Sequence, residues 1–198
     1  MFYKQILGGL AVLLVIVSYF PYIRDTLFGK TRPHAFSWLI WLVLTTIGFF
    51  IQITNGAGAG AWFNGLMIVV CGIITVFGFI KGKKEIVFID WICLVLAFIA
   101  IYFWLIVKEP VLSIIFVISA DSLGMIPTIR KSYVHPYSET LETYAINILR
   151  IILGIFALDK ITFLTVSYHI YMIIACLTIV TILTLRRRYI KLLSIRSY

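Results

Sequence analysis

Pro21-Tyr22-Ile23-Arg24 closes the first apolar run of this chain, and Pro127-Thr128-Ile129-Arg130 closes another 106 positions later. Each tract ends on a basic residue and is followed by a second proline, Pro33 or Pro136, and by a new apolar run. Gly48 and Gly154 repeat the 106-residue offset, and the span-ending Lys81 and Arg186 lie 105 apart. Offsets this constant across three apolar runs point to an internal duplication whose unit is three runs long.

The solvent for those runs follows from composition. Of the 198 residues, 62% are hydrophobic and 13% charged, and the mean hydropathy is +1.07, whereas soluble domains are about half apolar. This is the composition of an integral membrane protein. A hydrocarbon core of ~30 Å takes ~20 apolar residues per helix, and seven runs qualify, near 5–23, 36–54, 61–80, 86–107, 110–129, 140–158 and 162–185. The expected class is therefore all-α with seven transmembrane helices. The first run has one Lys before it and no small-residue cleavage site after it, so it reads as a retained helix rather than a signal peptide.

The net charge of +9 would suit a nucleic-acid partner if the basic residues were gathered on one polar surface. Instead they follow the spans. Thirteen of the seventeen fall after spans one, three, five and seven: Arg24, Lys30, Arg32, Lys81, Lys83, Lys84, Arg130, Lys131, Arg186, Arg187, Arg188, Lys191 and Arg196. Lys4, Lys108 and Lys160 fall on the opposite side, and Arg150 lies inside a span. The positive-inside rule then puts the N-terminus outside and the C-terminus in the cytoplasm. Anionic lipid headgroups are the partner expected for the basic edge and for a tail over 187–198 that could lie along the membrane surface, and nucleic acid is not.

An odd linker span turns two three-helix units the same way up, as the basic ends require. The expected organisation is a first unit over 1–84, a linker helix over 85–109, a second unit over 110–186 and the basic tail. Parallel repeats place a site between the halves near mid-membrane.

Few polar residues interrupt the spans. Asp121 lies ~14 Å along its helix from Arg130 and Arg150 ~20 Å from Pro136, so the two charges reach comparable depths. A charged group there must face the bundle, pair or be neutral. Two readings stand side by side: a buried Asp121–Arg150 pair locking spans five and six, or a transport site. Asn147 shares a helix face with Arg150. Trp38 and Trp41 read as interfacial anchors, with a pocket role as the alternative, His34 and His135 as solvated edge residues, and Asp90 as the polar cytoplasmic end of the linker. Pro21 is either a kink within its helix or the point where that helix stops. Cys71, Cys93 and Cys176 stand singly in apolar runs, as core residues; no metal, disulfide or cofactor is expected. Asn55-Gly56-Ala57-Gly58-Ala59-Gly60 lacks the strand and Lys-Ser/Thr of a phosphate loop and reads as a tight external turn.

In these features the chain resembles, over its whole length, the PQ-loop/SWEET-like superfamily of membrane transporters, with three plus one plus three helices. Within it the tract Arg32-Pro33-His34-Ala35-Phe36-Ser37-Trp38-Leu39-Ile40-Trp41 and Asp121 with Pro127-Thr128-Ile129-Arg130-Lys131-Ser132 resemble bacterial members without an assigned substrate, which implies the bacterial inner membrane. The resemblance implies rocking hinges at Pro21 and Pro127. It implies pocket positions at Asn64 and, by the 105-residue offset, at His169. An acidic residue near the second hinge, here Asp121, couples protons in some members. The glutamine that usually follows the hinge proline is replaced by Tyr22 and Thr128, and the sugar-stacking tryptophan falls near Gly48 and its echo, which argues against a sugar. Vitamin carriers of the Pnu type share the helix plan and are a second choice.

The expected function is a facilitator or proton-coupled carrier for a small polar metabolite, with Asn64, His169, Asn147 and Arg150 as substrate-binding residues. The alternative is a membrane binding or assembly protein that keeps the carrier fold. An intramembrane enzyme is the weakest reading, since the chain has neither His-Glu-x-x-His nor Gly-x-Ser-x-Gly. Both units lie in one chain, so a monomer would suffice, and a homodimer is left open.

Overall fold

The computed structural model describes residues 2–28, 33, 35–81, 88–134, 136–138 and 141–196. Within them the chain forms α1 (Phe2–Leu27), α2 (Ala35–Thr54), α3 (Trp62–Lys81), α4 (Phe88–Leu105), α5 (Pro110–Val134), α6 (Leu141–Phe156) and α7 (Phe163–Arg196), with 3-10 turns over Gly58–Ala61 and Pro136–Ser138. Every element among the described residues is helical. His34, His135 and the loop lysines Lys83 and Lys84 lie outside the described residues, as do the side chains of Asp90 and Pro127.

Among the described residues, four stretches are long and apolar enough to cross a membrane: Phe2–Arg24, Ser37–Thr54, Gly58–Ile80 and Phe163–Leu192. Shorter apolar stretches occupy α4 (Trp91–Leu105) and α5 (Pro110–Ile126). The difference from the seven runs counted in the sequence lies in α4, α5 and α6. Their described apolar stretches are shorter, and the 16-residue α6 carries Glu142, Asn147 and Arg150. Large apolar side chains such as Leu13, Phe20, Val76, Phe98, Ile174 and Leu185 face outward. A soluble surface does not tolerate this many, and the chain has the character of an integral multi-pass membrane protein.

The packing of the helices follows an order that their sequence numbering hides. In the first half α3 lies between α1 and α2; in the second α7 lies between α5 and α6. The halves meet through α1 on α6 and α2 on α5, and α4 lies along α5 and against α2. Two larger apolar cores result, beside a small one of Ala57, Ala61 and Leu158. One joins α2, α4, α5 and α7 around Leu44, Ile51, Ala97, Ile114 and Val117; the other joins α1, α2, α3 and α6 around Val15, Trp38, Met67, Ile74 and Ile151. Trp41 and Met172 touch both cores. The three cysteines are buried within this packing.

Two expectations need correcting and one open choice is decided. Pro21 does not stop its helix: α1 runs through it to Leu27. Proline removes only the bond to the carbonyl four residues back, and hydroxyls return to the backbone on either side, Ser18 Oγ to the Val15 carbonyl at 3.1 Å and Thr26 Oγ1 to the Tyr22 carbonyl at 2.9 Å. Pro127 likewise lies inside α5, which continues to Val134. Trp38 and Trp41 are not boundary anchors: Trp38 is buried, its ring 5.2 Å from that of Trp41 and 5.3 Å from that of Tyr22. They stand on the side of α2 that packs inward, where a large ring fills the space between the helices. Finally, the basic stretch from Arg186 to Arg196 does not form a separate surface segment but prolongs α7, one helix of 34 residues. Arg186 Nε donates to the Tyr133 carbonyl and Arg187 Nε to the Pro136 carbonyl, both at 3.0 Å, and the guanidinium groups lie over Tyr133 at the end of α5 and Tyr137 in the α5–α6 connection respectively.

Candidate functional site

At the end of the bundle where α1 begins, the α2–α3 and α6–α7 connections are laced together. The backbone N–H groups of Asp159 and Lys160 donate to the carbonyls of Ala57 and Gly56, at 3.1 and 3.2 Å. Lys4 Nζ donates to the Leu158 carbonyl at 2.7 Å and lies 3.6 Å from Asp159 Oδ1. Gly56 has φ +83°, which lets its carbonyl turn toward Lys160. Gly60 and Gly154 bring their backbones together: a Cβ on Gly60 would stand 2.6 Å from the Gly154 carbonyl oxygen, and one on Gly154 would strike the Phe63 ring. The external turn expected from the Gly-rich tract is thus also a contact surface between the halves.

Below this seam lie the polar residues singled out in the sequence, all of them buried. Asn64 on α3 donates through Nδ2 to Gln52 Oε1 on α2, at 2.9 Å. Nε2 of His169 on α7 lies 3.4 Å from the Gly60 carbonyl, to which it donates in the tautomer that carries its proton there, and the imidazole stands edge-on to Phe63 with centroids 5.4 Å apart. Asn147 on α6 lies beside the Tyr19 hydroxyl of α1.

Arg150, one helical turn from Asn147, has only 3% of its surface exposed. Its guanidinium carbon is 5.0 Å from the Phe63 ring centroid and 5.9 Å from that of Tyr19. These ring faces offer the cation electrostatic contact without a counter-charge. Its Nε and Nη1 have no hydrogen-bond partner among the described residues, nor do Asn147 Oδ1 and His169 Nδ1.

Asp121 is 5% exposed and faces the opposite interface, toward the Trp41 indole of α2 and the Tyr171 phenol of α7. Its Oδ2 has no hydrogen-bond partner within 3.5 Å among the described residues, and the Tyr171 hydroxyl lies between Asp121 and Ser122. The expectation of a locking Asp121–Arg150 pair is not met. Among the described residues the ion pair is Lys4–Asp159, because Arg150 points toward α1 and α3 and Asp121 toward α2 and α7. Tyr168, Cys71 and Cys176 lie within electrostatic reach of both charges.

The structure thus gathers Asn147, Arg150 and His169 around Phe63, puts Asn64 on the neighbouring α2–α3 contact, and sets Asp121 apart. It adds Tyr19, Phe63, Gln52 and Tyr171, which sequence reasoning missed, and Trp41, which it placed at the membrane boundary. The repeat offset held a signal for two aromatic positions: Phe63 plus 105 is Tyr168. Each faces a glycine of the other half, Phe63 against Gly154 and Tyr168 against Gly48.

Comparison with protein-family models, with curated proteins and with solved structures finds no match to this chain.

Proposed function

We propose that this chain is a membrane carrier of the PQ-loop/SWEET-like kind, built as two parallel three-helix units joined by α4, and that it moves a small polar metabolite by rocking one unit against the other. The observation that carries the reading is the exchange pattern of the helices. With α3 central in one half and α7 central in the other, first helix meets second helix at both junctions, α1 on α6 and α5 on α2. A two-fold axis along the membrane normal produces this pattern, and parallel-repeat carriers place their substrate on such an axis.

Rocking needs hinges and gates. Pro21 and Pro127, each inside a continuous helix and each freeing one backbone carbonyl, are the hinges. The seam of Lys4, Gly56, Ala57, Leu158, Asp159 and Lys160 is the outer gate in its closed position, with the N-terminus outside and the basic ends in the cytoplasm of a bacterial inner membrane. Asn147, Arg150 and His169 form the substrate-facing cluster and Asn64 supports it from α3. Asp121 carries the coupling proton. The titratable groups that face it are Tyr171 and Tyr168 of α7, with Cys71 of α3 and Cys176 of α7 farther off.

Proteoliposome uptake tests this reading, with candidate solutes chosen by a thermal-shift screen at two pH values, since a ligand stabilises the folded state according to its concentration over its dissociation constant. The carrier reading requires uptake that saturates and that a Lys4→Cys/Asp159→Cys disulfide blocks and reductant restores. The second reading, a binding protein that keeps the carrier fold, draws on the departures at Tyr22 and Thr128. It gains if ligands bind while no solute crosses with the crosslink reduced.

A further inference from the structure

Arg150 calls for a partner that the described residues do not supply. A guanidinium with 3% exposure, two nitrogens without hydrogen bonds among the described residues and two ring centroids at 5.0 and 5.9 Å is a buried cation. A cation at such depth costs several kcal/mol unless it is met by an acceptor. The carboxylate in the membrane interior, Asp121, faces the other interface. Replacing Arg150 by the leucine that the repeat puts at its equivalent, Leu44, would remove this cost.

We infer that Arg150 is the anchor of a monoanion site, and that its ligand is a small organic carboxylate carrying a hydrogen-bond donor. This rests on the carrier reading and names its substrate class. One cation in a low-dielectric setting balances one negative charge; a dianion such as phosphate would leave a net charge buried among rings. The planar guanidinium pairs with a planar carboxylate in the same way as in proteins generally. Phe63 and Tyr19, on α3 and α1, are the walls against which a short carbon skeleton lies. Asn147 Oδ1, an acceptor without a hydrogen-bond partner among the described residues, is one turn away on the same helix and takes a hydroxyl group of the ligand. His169 Nδ1, also without a hydrogen-bond partner among the described residues, accepts a second hydroxyl when its Nε2 holds the proton toward Gly60.

The test uses the full chain in lipid nanodiscs and needs no transport. Thermal stabilisation is measured with formate, acetate, glycolate, lactate, pyruvate and benzoate, each beside its own amide, and with chloride and inorganic phosphate. Carboxylates are expected to bind about tenfold or more tightly than the matched amides, with lactate and glycolate ahead of acetate. Arg150→Gln abolishes the preference, Arg150→Lys retains it with weaker binding, and Asn147→Leu removes the advantage of the hydroxy acids alone. The inference is overturned if no carboxylate surpasses its amide, if phosphate or chloride stabilises as well as the best carboxylate, or if the preference survives in Arg150→Gln. Should Arg150→Gln fail to fold, the wild-type carboxylate-to-amide comparison and Arg150→Lys decide the matter. Carboxylate binding without flux sinks the carrier reading and leaves the site standing; saturable flux of neutral solutes alone does the reverse.

Discussion

The two junctions between the halves are built to one plan and charged in opposite senses. Where α1 meets α6, the repeat-equivalent positions hold Val15 and Arg150; where α5 meets α2, they hold Asp121 and Leu44. All four side chains are buried. One junction thus carries a cation and the other an acid, with an aliphatic residue at the position 106 residues away each time. The frame answers to packing, which both copies satisfy with different residues, whereas the charges have no packing reason to be there. Stability and function are expected to separate at these positions.

Replacing Arg150 by Leu, its counterpart across the repeat, gives the largest effect. Uptake into proteoliposomes falls at least tenfold, while the melting temperature stays the same or rises, since an apolar residue in place of a buried charge is commonly neutral or stabilising. A fall in melting temperature would return Arg150 to a structural role. Asp121→Asn at the other seam comes next: transport persists but loses its response to a proton gradient, read by comparing uptake with and without an imposed gradient. If Asp121→Asn leaves that response intact, the second seam is not the coupling site.

The glycines sharpen the comparison through packing alone. Gly154→Ala forces a methyl into the Phe63 ring and costs about 1–3 kcal/mol, whereas Gly48→Ala meets nothing nearer than Tyr168 Cδ1 at 3.9 Å and stays within about 1 kcal/mol or gains from helix propensity. Chemical unfolding in mixed micelles measures both. Lys4→Gln is the smallest: Asp159 is half-exposed, so the pair contributes about 0–1 kcal/mol, and raising the salt concentration narrows the difference from wild type further.

Much of the helical, apolar character was legible because it depends on a pattern that a one-dimensional reading sees, namely long apolar runs. Arg150 and Asp121 were legible as exceptions to those runs. Their separation was not. Comparable depth along two helices says nothing about which way each helix is turned, and the rotation that aims Arg150 at Tyr19 and Phe63 is set by contacts between α1, α3 and α6. Trp38 and Trp41 were misread for the same reason: an indole one turn inside a span looks alike in sequence whether it faces headgroups or a neighbouring ring. Gln52 escaped notice because its partner, Asn64, lies on the next helix, beyond the Gly-rich turn.

The unbroken α7 makes movement in this molecule easy to see. Thirty-four helical residues span ~51 Å, well beyond the ~30 Å hydrocarbon layer, so the last helix is longer than a bilayer crossing needs. If the halves rock as proposed, a tilt of ~10° of this helix about its first turn sweeps its far end by ~9 Å, taking the helical rise as the lever length. Leu192 near the tip and Phe88 at the start of α4 are both exposed, and a pair of spin labels there would turn a small rotation between the halves into a large change in one measured distance.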